Sequence, residues 1–160
     1  GPMANPGRVR RQVIGVANAS FAERMVATLR VHGSIHAWVV HGGGLDELTT
    51  TGSSQVTGLL DGELRHFEVD PEQLGLPAAR AADLTGGDPA ENAAVVRAVL
   101  SGRPGPHRDI VILNAAAGLV VGDKAPDLAA GLELARTSID SGAASDVLDR
   151  LVAASRQAAG

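Results

Sequence analysis

A chain of 160 residues with 44% hydrophobic residues and a formal net charge of −4 is long enough for one folded domain with an apolar core. Its 14 Lys and Arg residues are scattered, which excludes the concentrated basic surface of a dedicated nucleic-acid-binding protein. The lack of cysteine excludes disulfides and thiolate metal sites, and the lack of a long apolar run predicts a cytoplasmic protein without a membrane partner.

The first third of the sequence has the pattern of a strand, a helix and a second strand. Residues 1–11 contain two prolines and no periodicity, which predicts an extended loop. Residues 12–16 and 36–41 are short, apolar and rich in β-branched side chains, as in buried strands. Between them, Ser20 and Glu23 have the spacing of a capping box, and Gly33 ends the predicted helix. Such a βαβ unit has parallel strands and a right-handed crossover.

The remaining segments predict a hairpin followed by helices. Asp61 and Gly62 stand between two strand-like runs within residues 53–69, which is a hairpin signal. Asp88, Pro89 and Glu91 form the start signature of a helix. Helices are predicted over residues 91–102, 108–122, 125–142 and 143–157. The predicted fold class is therefore α/β, with a βαβ unit in a mostly parallel sheet plus a hairpin, covered by helices.

The second predicted strand leads directly into the sequence HGGGLDELTTTG, His41 to Gly52. Glycines at the carboxyl end of a strand let the backbone approach a ligand closely, and parallel sheets bind ligands at that end. Asp46 and Glu47 are adjacent, and in a loop both carboxylates can face one hard cation. Two carboxylates without His or Cys suit Mg²⁺, which keeps several waters and is often shared with substrate phosphates. The alternative is a solvated turn in which Asp46 caps the next element.

Other motifs in the sequence are incomplete or have simpler explanations. HGGG resembles the oxyanion loop of lipases, but the sequence has no G-x-S-x-G nucleophile elbow. A dinucleotide fingerprint would need glycine at Glu47, and the sequence has no P-loop. Of the five histidines, His32 and His36 alone have the spacing of helical metal ligands, and a glycine interrupts them. Asn114 is expected to be a satisfied polar group in an apolar helix, and residues 86–88 to belong to a helix cap.

Five stretches match one known family in order and spacing: GPMANPGRVRRQVIGV, VVHGGGLDELTTTG, LTGGDPAENAAVVRAVLSG, RDIVILNAAAGLVVGDKAPDLAAGLELARTSIDSGAA and LDRLVAASR. Over residues 1–157 the sequence resembles the carboxyl-terminal half of anthranilate phosphoribosyltransferases. The resemblance implies a glycosyltransferase of tryptophan biosynthesis, which transfers 5-phosphoribosyl from phosphoribosyl pyrophosphate (PRPP) to anthranilate and releases pyrophosphate. It also implies that the Asp-Glu pair of the family, which binds Mg²⁺ on the pyrophosphate, falls on Asp46 and Glu47.

The resemblance further implies that residues 1–160 form a single partial α/β domain, the carboxyl-terminal portion of the phosphoribosyltransferase large domain. The amino-terminal helical domain of the family, its phosphate loop and its anthranilate-binding residues belong upstream of the matched segment. The chain alone is therefore expected to be inactive, and to pair with the missing amino-terminal half or with other copies of itself. Two alternatives are a non-catalytic interaction or scaffold domain of the same fold, and a related phosphoribosyltransferase or phosphorylase with another acceptor.

Overall fold

The computed structural model describes residues 5–159, which form one four-stranded sheet and five α-helices. Residues 1–4, at the start of the predicted opening loop, and residue 160 lie outside the described residues, and residues 5–10 are irregular. The strands are β1 (Arg11–Gly15), β2 (His36–His41), β3 (Ser54–Leu60) and β4 (Glu63–Val69). The helices are α1 (Ala22–Val31), α2 (Pro89–Leu100), α3 (Pro106–Val121), α4 (Leu128–Asp140) and α5 (Ala143–Ala159).

The strands follow one another across the sheet in chain order. β1 and β2 are parallel and joined through α1, while β2 with β3 and β3 with β4 are antiparallel. The α/β class, the βαβ unit and the hairpin are thus confirmed. The expected mostly parallel sheet is corrected to a mixed one, in which a single pairing is parallel. The connection from β2 to β3 contains no helix that could carry the chain back across the sheet, so β3 returns antiparallel.

Helices cover both faces of the sheet. On one face, Val26 of α1 packs in a cluster with Val39 of β2. On the other face, Leu113 of α3 lies in a larger cluster with Val40 of β2. All four of these side chains are almost fully buried. Apolar side chains on alternate faces of β2 therefore hold α1 and α3 on opposite sides of the strand that leads into the carboxylate loop.

Two predicted helix starts have different outcomes. The Asp88 capping box of α2 is confirmed: Asp88 Oδ1 accepts from the backbone N–H groups of Ala90 (2.8 Å) and Glu91 (2.9 Å), and Glu91 Oε2 accepts from Asp88 N–H (2.8 Å). The predicted capping box at Ser20 is wrong. Asn18 Oδ1 instead accepts from Ser20 N–H at 2.9 Å, and this caps a short 3₁₀ turn that precedes α1.

The helix predicted over residues 108–122 is confirmed as α3, which contributes seven buried residues. Its inward side chains form much of the larger core cluster, and α4 crosses it where Gly131 lies against the Ala116 backbone. A Cβ at Gly131 would come within 2.9 Å of the Ala116 carbonyl oxygen, so the two helices pack closely. Within residues 5–159, no helix has the length and apolar character needed to cross a membrane.

Candidate metal centre

The candidate site is the loop that follows β2, at the carboxyl ends of the two parallel strands. It begins with a tight reversal, in which the backbones of Gly42 and Leu45 exchange two hydrogen bonds of 3.0 Å. Gly43 and Gly44 at the tip have φ values of +57° and +100°, a region that disfavours side chains. The carboxylate pair that was predicted from sequence follows this reversal directly and is exposed, in irregular backbone rather than in a strand.

Two strand-end glycines hold the backbone of this loop. A Cβ on Gly15, at the end of β1, would overlap the carbonyl oxygen of Asp46. A Cβ on Gly42, directly after β2, would overlap the carbonyl oxygen of Glu47. The backbone of each carboxylate residue is therefore packed against a position that admits glycine alone. At Gly42, the close approach serves the packing of the loop itself.

Asn114 of α3 provides a third anchor for the loop. Its Oδ1 accepts from Leu48 N–H at 3.0 Å, and its Nδ2 donates to Leu48 O at 2.7 Å and to Ile110 O at 3.0 Å. The same Nδ2 lies 3.4 Å from Glu47 Oε2. The prediction that Asn114 is a satisfied polar group is confirmed, but its contact with the carboxylate loop was missed. The signal for it was a single amide side chain in an otherwise apolar helix sequence.

The threonine run closes the loop and leads into β3. The hydroxyl of Thr49 lies 2.9 Å from the hydroxyl of Thr51 and accepts from Thr51 N–H at 3.1 Å. The backbone N–H of Thr49 donates to Ser54 Oγ at 2.9 Å. Leu48, Thr49 and Thr50 are buried. The segment just after the carboxylates is therefore fixed by short local hydrogen bonds.

The electrostatics of the loop oppose a second negative charge. Partial burial raises the pKa of Glu47 above its usual range, and the neighbouring Asp46 carboxylate raises it further. Among the described residues, no hydrogen bond reaches the side chain of Asp46. The alternative in which Asp46 caps the next element is not supported, because that element is the strand β3. A cation between the carboxylates would offset this repulsion.

The donor set fits Mg²⁺. Within residues 5–159, no group of three or more His, Cys, Asp and Glu side chains could hold a metal ion. The loop itself contributes two carboxylates, those of Asp46 and Glu47. Mg²⁺ is commonly held by one or two carboxylates, with waters and substrate phosphates completing the octahedron. A site that provides oxygen ligands alone does not favour zinc or copper. Asp46 and Glu47 are therefore the residues of this loop that could contribute oxygen ligands to Mg²⁺.

An apolar groove of about 570 Å³ lies beside Glu47, between the loop and the helices α2 and α3. This volume is within the range of small-molecule sites. Glu47 and His107 are the titratable residues of its lining, and Arg and Lys do not contribute to it. The main apolar residues of the lining are Leu45, Leu84, Val95, Val96, Val99, Leu100, Ile110 and Val111.

His107 lines the groove beside Glu47, whereas His36, His41 and His66 make other contacts. His41 Nδ1 lies 2.9 Å from Val16 O and ties the ends of β1 and β2 together. His36 is buried beside Trp38, with ring centroids 6.3 Å apart, and His66 lies on β4, 3.6 Å from Glu23. These three histidines therefore have structural or surface positions.

An α/β domain with a carboxylate-bearing loop at the ends of parallel strands agrees with one known class of transferases. Residues 1–145 match the model described as "Glycosyl transferase family, a/b domain", and the chain belongs to this family. Two curated relatives are anthranilate phosphoribosyltransferases. The one from Beijerinckia indica is 52% identical over 158 residues, which are 98% of this chain and 46% of the relative. The one from Caulobacter vibrioides is 51% identical over 154 residues, 96% of this chain and 45% of the relative.

Solved structures of anthranilate phosphoribosyltransferases share the fold of this chain. Anthranilate phosphoribosyltransferase from Thermus thermophilus has a TM-score of 0.87 and 38% identity, over 96% of this chain and 45% of that one. The Saccharomyces cerevisiae enzyme in complex with PRPP and Mg has a TM-score of 0.84 and 26% identity, over 93% of this chain and 44% of that one. The resemblance found in the sequence is confirmed. The chain spans less than half the length of the relatives that it matches.

Proposed function

We propose that Asp46 and Glu47 bind the Mg²⁺ that accompanies the pyrophosphate of PRPP, in an enzyme that transfers phosphoribosyl to anthranilate. The observation that carries the proposal is a pair of adjacent carboxylates on an anchored loop at the carboxyl ends of β1 and β2. The raised pKa of Glu47 supports it, because this partly desolvated carboxylate lies beside the negative charge of Asp46. The yeast relative, whose structure contains PRPP and Mg, supports the choice of cation.

The chemistry of the transfer explains why an anchored carboxylate pair is useful. When the C1–O bond of PRPP breaks, negative charge grows on the leaving pyrophosphate, and a bound Mg²⁺ neutralises it. Asp46 and Glu47 would hold the cation in position. Gly15, Gly42 and Asn114 keep the loop in place. An arrangement fixed in advance costs little reorganisation during the reaction. We assign no proton-transfer role to this chain.

The proposal includes a partial domain. Residues 1–160 correspond to a carboxyl-terminal part of the α/β domain, and the preceding half of the relatives provides the phosphate loop and the anthranilate contacts. Coverage of 45–46% of the curated relatives supports the partial span. Exposed apolar side chains, such as Val96 (46%), Val111 (41%) and Leu151 (64%), provide surface for further packing. A cytoplasmic location and a place in tryptophan biosynthesis belong to the same proposal.

The test is anthranilate fluorescence in the presence of PRPP and Mg²⁺. The chain alone, the preceding half of a relative alone, and their mixture are compared, with both parts shown to be folded and associated. We expect the mixture alone to consume anthranilate, and only when Mg²⁺ is present. A folded, associated mixture without turnover would overturn the acceptor or the enzymatic role. Turnover that Asp46→Asn leaves unchanged would overturn the site and leave a scaffold role for this chain.

A further inference from the structure

We propose that Asn114 is a positioning residue, which holds the backbone of Leu48 and so fixes where Glu47 presents its carboxylate to a divalent cation. The inference rests on the proposed metal-binding function, and it adds a residue from α3 that lies 66 positions away from the segment it holds. Asn114 itself is not placed among the metal ligands.

The clamp made by Asn114 fixes the orientation of the backbone as well as its distance. Both polar groups of the Leu48 backbone bond to the same planar amide, at 3.0 Å from N–H to Oδ1 and 2.7 Å from Nδ2 to O. An Asn side chain has two donors and one acceptor oxygen, and this geometry matches an N–H and a C=O group together. Rotation of the backbone at Leu48 would break both bonds. The direction in which the chain leaves Glu47 is therefore fixed.

The clamp is mounted on a rigid element. Leu113 and Ala117, on either side of Asn114 along α3, are completely buried in the core. Asn114 Nδ2 also donates to Ile110 O, which restricts the side chain within its own helix. A site supported from a packed helix is held more precisely than one supported by loop contacts alone. The carboxylate loop is thus held at a fixed position relative to the core by its bonds to α3.

Loss of the amide would act first on Glu47. Leu48 is completely buried, so its N–H and C=O groups would lose their partners away from solvent. These groups can regain hydrogen bonds only if the loop moves toward water. Glu47 would move with it, because it adjoins Leu48 and its Oε2 lies 3.4 Å from the Asn114 amide. Asp46 has a separate anchor in its contact with Gly15. Partners outside the ligand shell commonly change metal affinity by about 10- to 100-fold.

The chain contains a matched control for this clamp. Asn92 of α2 makes the same pair of bonds with one residue: its Oδ1 accepts from Gly87 N–H at 2.9 Å, and its Nδ2 donates to Gly87 O at 2.9 Å. This second clamp holds the loop before α2. Truncation of either Asn to Ala removes one two-bond clamp, but only Asn114→Ala loosens the carboxylate loop.

The first measurement is amide hydrogen exchange by NMR without metal, with Leu48 read relative to Val39 of β2 in the same sample. We expect Asn114→Ala to speed Leu48 exchange about tenfold or more relative to Val39, since a buried donor loses its partner. Asn92→Ala should leave Leu48 unchanged. If Asn114→Ala unfolds, Asn114→Leu, which fills the space without making the bonds, is expected to give the same result. Unchanged relative exchange at Leu48 in the folded variant would overturn the positioning role.

The second measurement is a titration with Mn²⁺ alone, followed by paramagnetic broadening of the amides of residues 45–48. The expected affinity is about tenfold weaker in Asn114→Ala and unchanged in Asn92→Ala. Faster Leu48 exchange with unchanged Mn²⁺ affinity would reduce Asn114 to a structural clamp and overturn the inference. Two outcomes would overturn the metal site itself and this inference with it: no broadening in the parent, or broadening that Asp46→Asn does not weaken.

Discussion

Glu47 combines two properties that stability alone does not favour in one exposed residue: a carboxylate that its surroundings partly desolvate, and an acidic neighbour. Burial first, and then Asp46, raise the pKa of Glu47 in the folded chain. The folded state therefore favours the protonated form. As the pH rises through the unfolded and then the folded pKa of this carboxyl, the contribution of Glu47 to folding stability becomes less favourable. Such a residue fits a binding site better than a structural position.

The Glu47→Gln variant tests this property. In metal-free buffer near pH 7 we expect the variant to be as stable as the parent or slightly more stable, by less than about 1 kcal/mol after allowance for solvent screening. The gain should disappear in acid, where the parent carboxyl is protonated. Urea unfolding at both pH values measures the difference, with Glu68→Gln on exposed β4 as the control. A clear loss of stability at neutral pH would show that Glu47 is structural.

Gly15 is the residue whose substitution should displace the site most directly. A Cβ there would overlap the backbone oxygen of Asp46, so we expect Gly15→Ala to cost about 1–3 kcal/mol and to weaken Mn²⁺ binding. Gly52→Ala is the matched control, because a Cβ at Gly52 meets nothing within 4 Å. Urea unfolding and the Mn²⁺ titration measure both effects. Equal stability and equal Mn²⁺ affinity in the two variants would show that Gly15 does not position the carboxylate loop.

Some residues of the site can be predicted from the sequence and others cannot. Asp46 and Glu47 are visible because they are adjacent and follow a glycine-rich strand end. Gly15 and Asn114 are not, because each contacts the loop through the packing of β1 or α3. Hydrogen bonds between residues that are 66 positions apart depend on tertiary structure, which local patterns do not encode.

At the scale of elements, the loop before α2 shows how a phosphate-like motif can belong to a helix cap. The sequence TGGD ends at Asp88, which caps α2 together with Glu91, while Asn92 holds Gly87. We expect Asp88→Ala to cost about 1 kcal/mol through the lost cap and to leave the affinity for inorganic pyrophosphate unchanged. Urea unfolding and calorimetric titration check the two parts. Weaker pyrophosphate binding without a loss of stability would restore a ligand-binding role for this loop.

The elements themselves were predictable where a local signal was complete. β2 was predicted with the bounds that it has, and Asp61–Gly62 forms the turn of the hairpin. The start of α1 was wrong because Asn18 competes with Ser20 as a cap and inserts a 3₁₀ turn. Because α1 begins at Ala22, Phe21 precedes the helix and is exposed. The antiparallel return of β3 was not predicted, because the sheet direction depends on the path of the carboxylate loop.

At the scale of the molecule, the two edges of the sheet differ. β4 is exposed along most of its length and carries charges at Glu63, Arg65 and Glu68, which protect an edge from pairing. β1 is a short edge strand with Ile14 buried, and Val13 packs against the larger core cluster. An edge strand with apolar side chains on both faces resembles an interior strand. β1 is therefore the edge that is better suited to pairing with a further strand.

The most direct test of the central claim is an NMR titration of the 160-residue chain with Mn²⁺, for the parent, Asp46→Asn and Glu47→Gln. We expect broadening in the parent that is confined to the carboxylate loop, residues 42–53, and is much weaker in both variants at the same Mn²⁺ concentration. Because each substitution removes a charged ligand and keeps the size of the side chain, a loss of binding would identify the carboxylates as the site. Broadening that is absent from the parent loop, or equal in all three proteins, would contradict it.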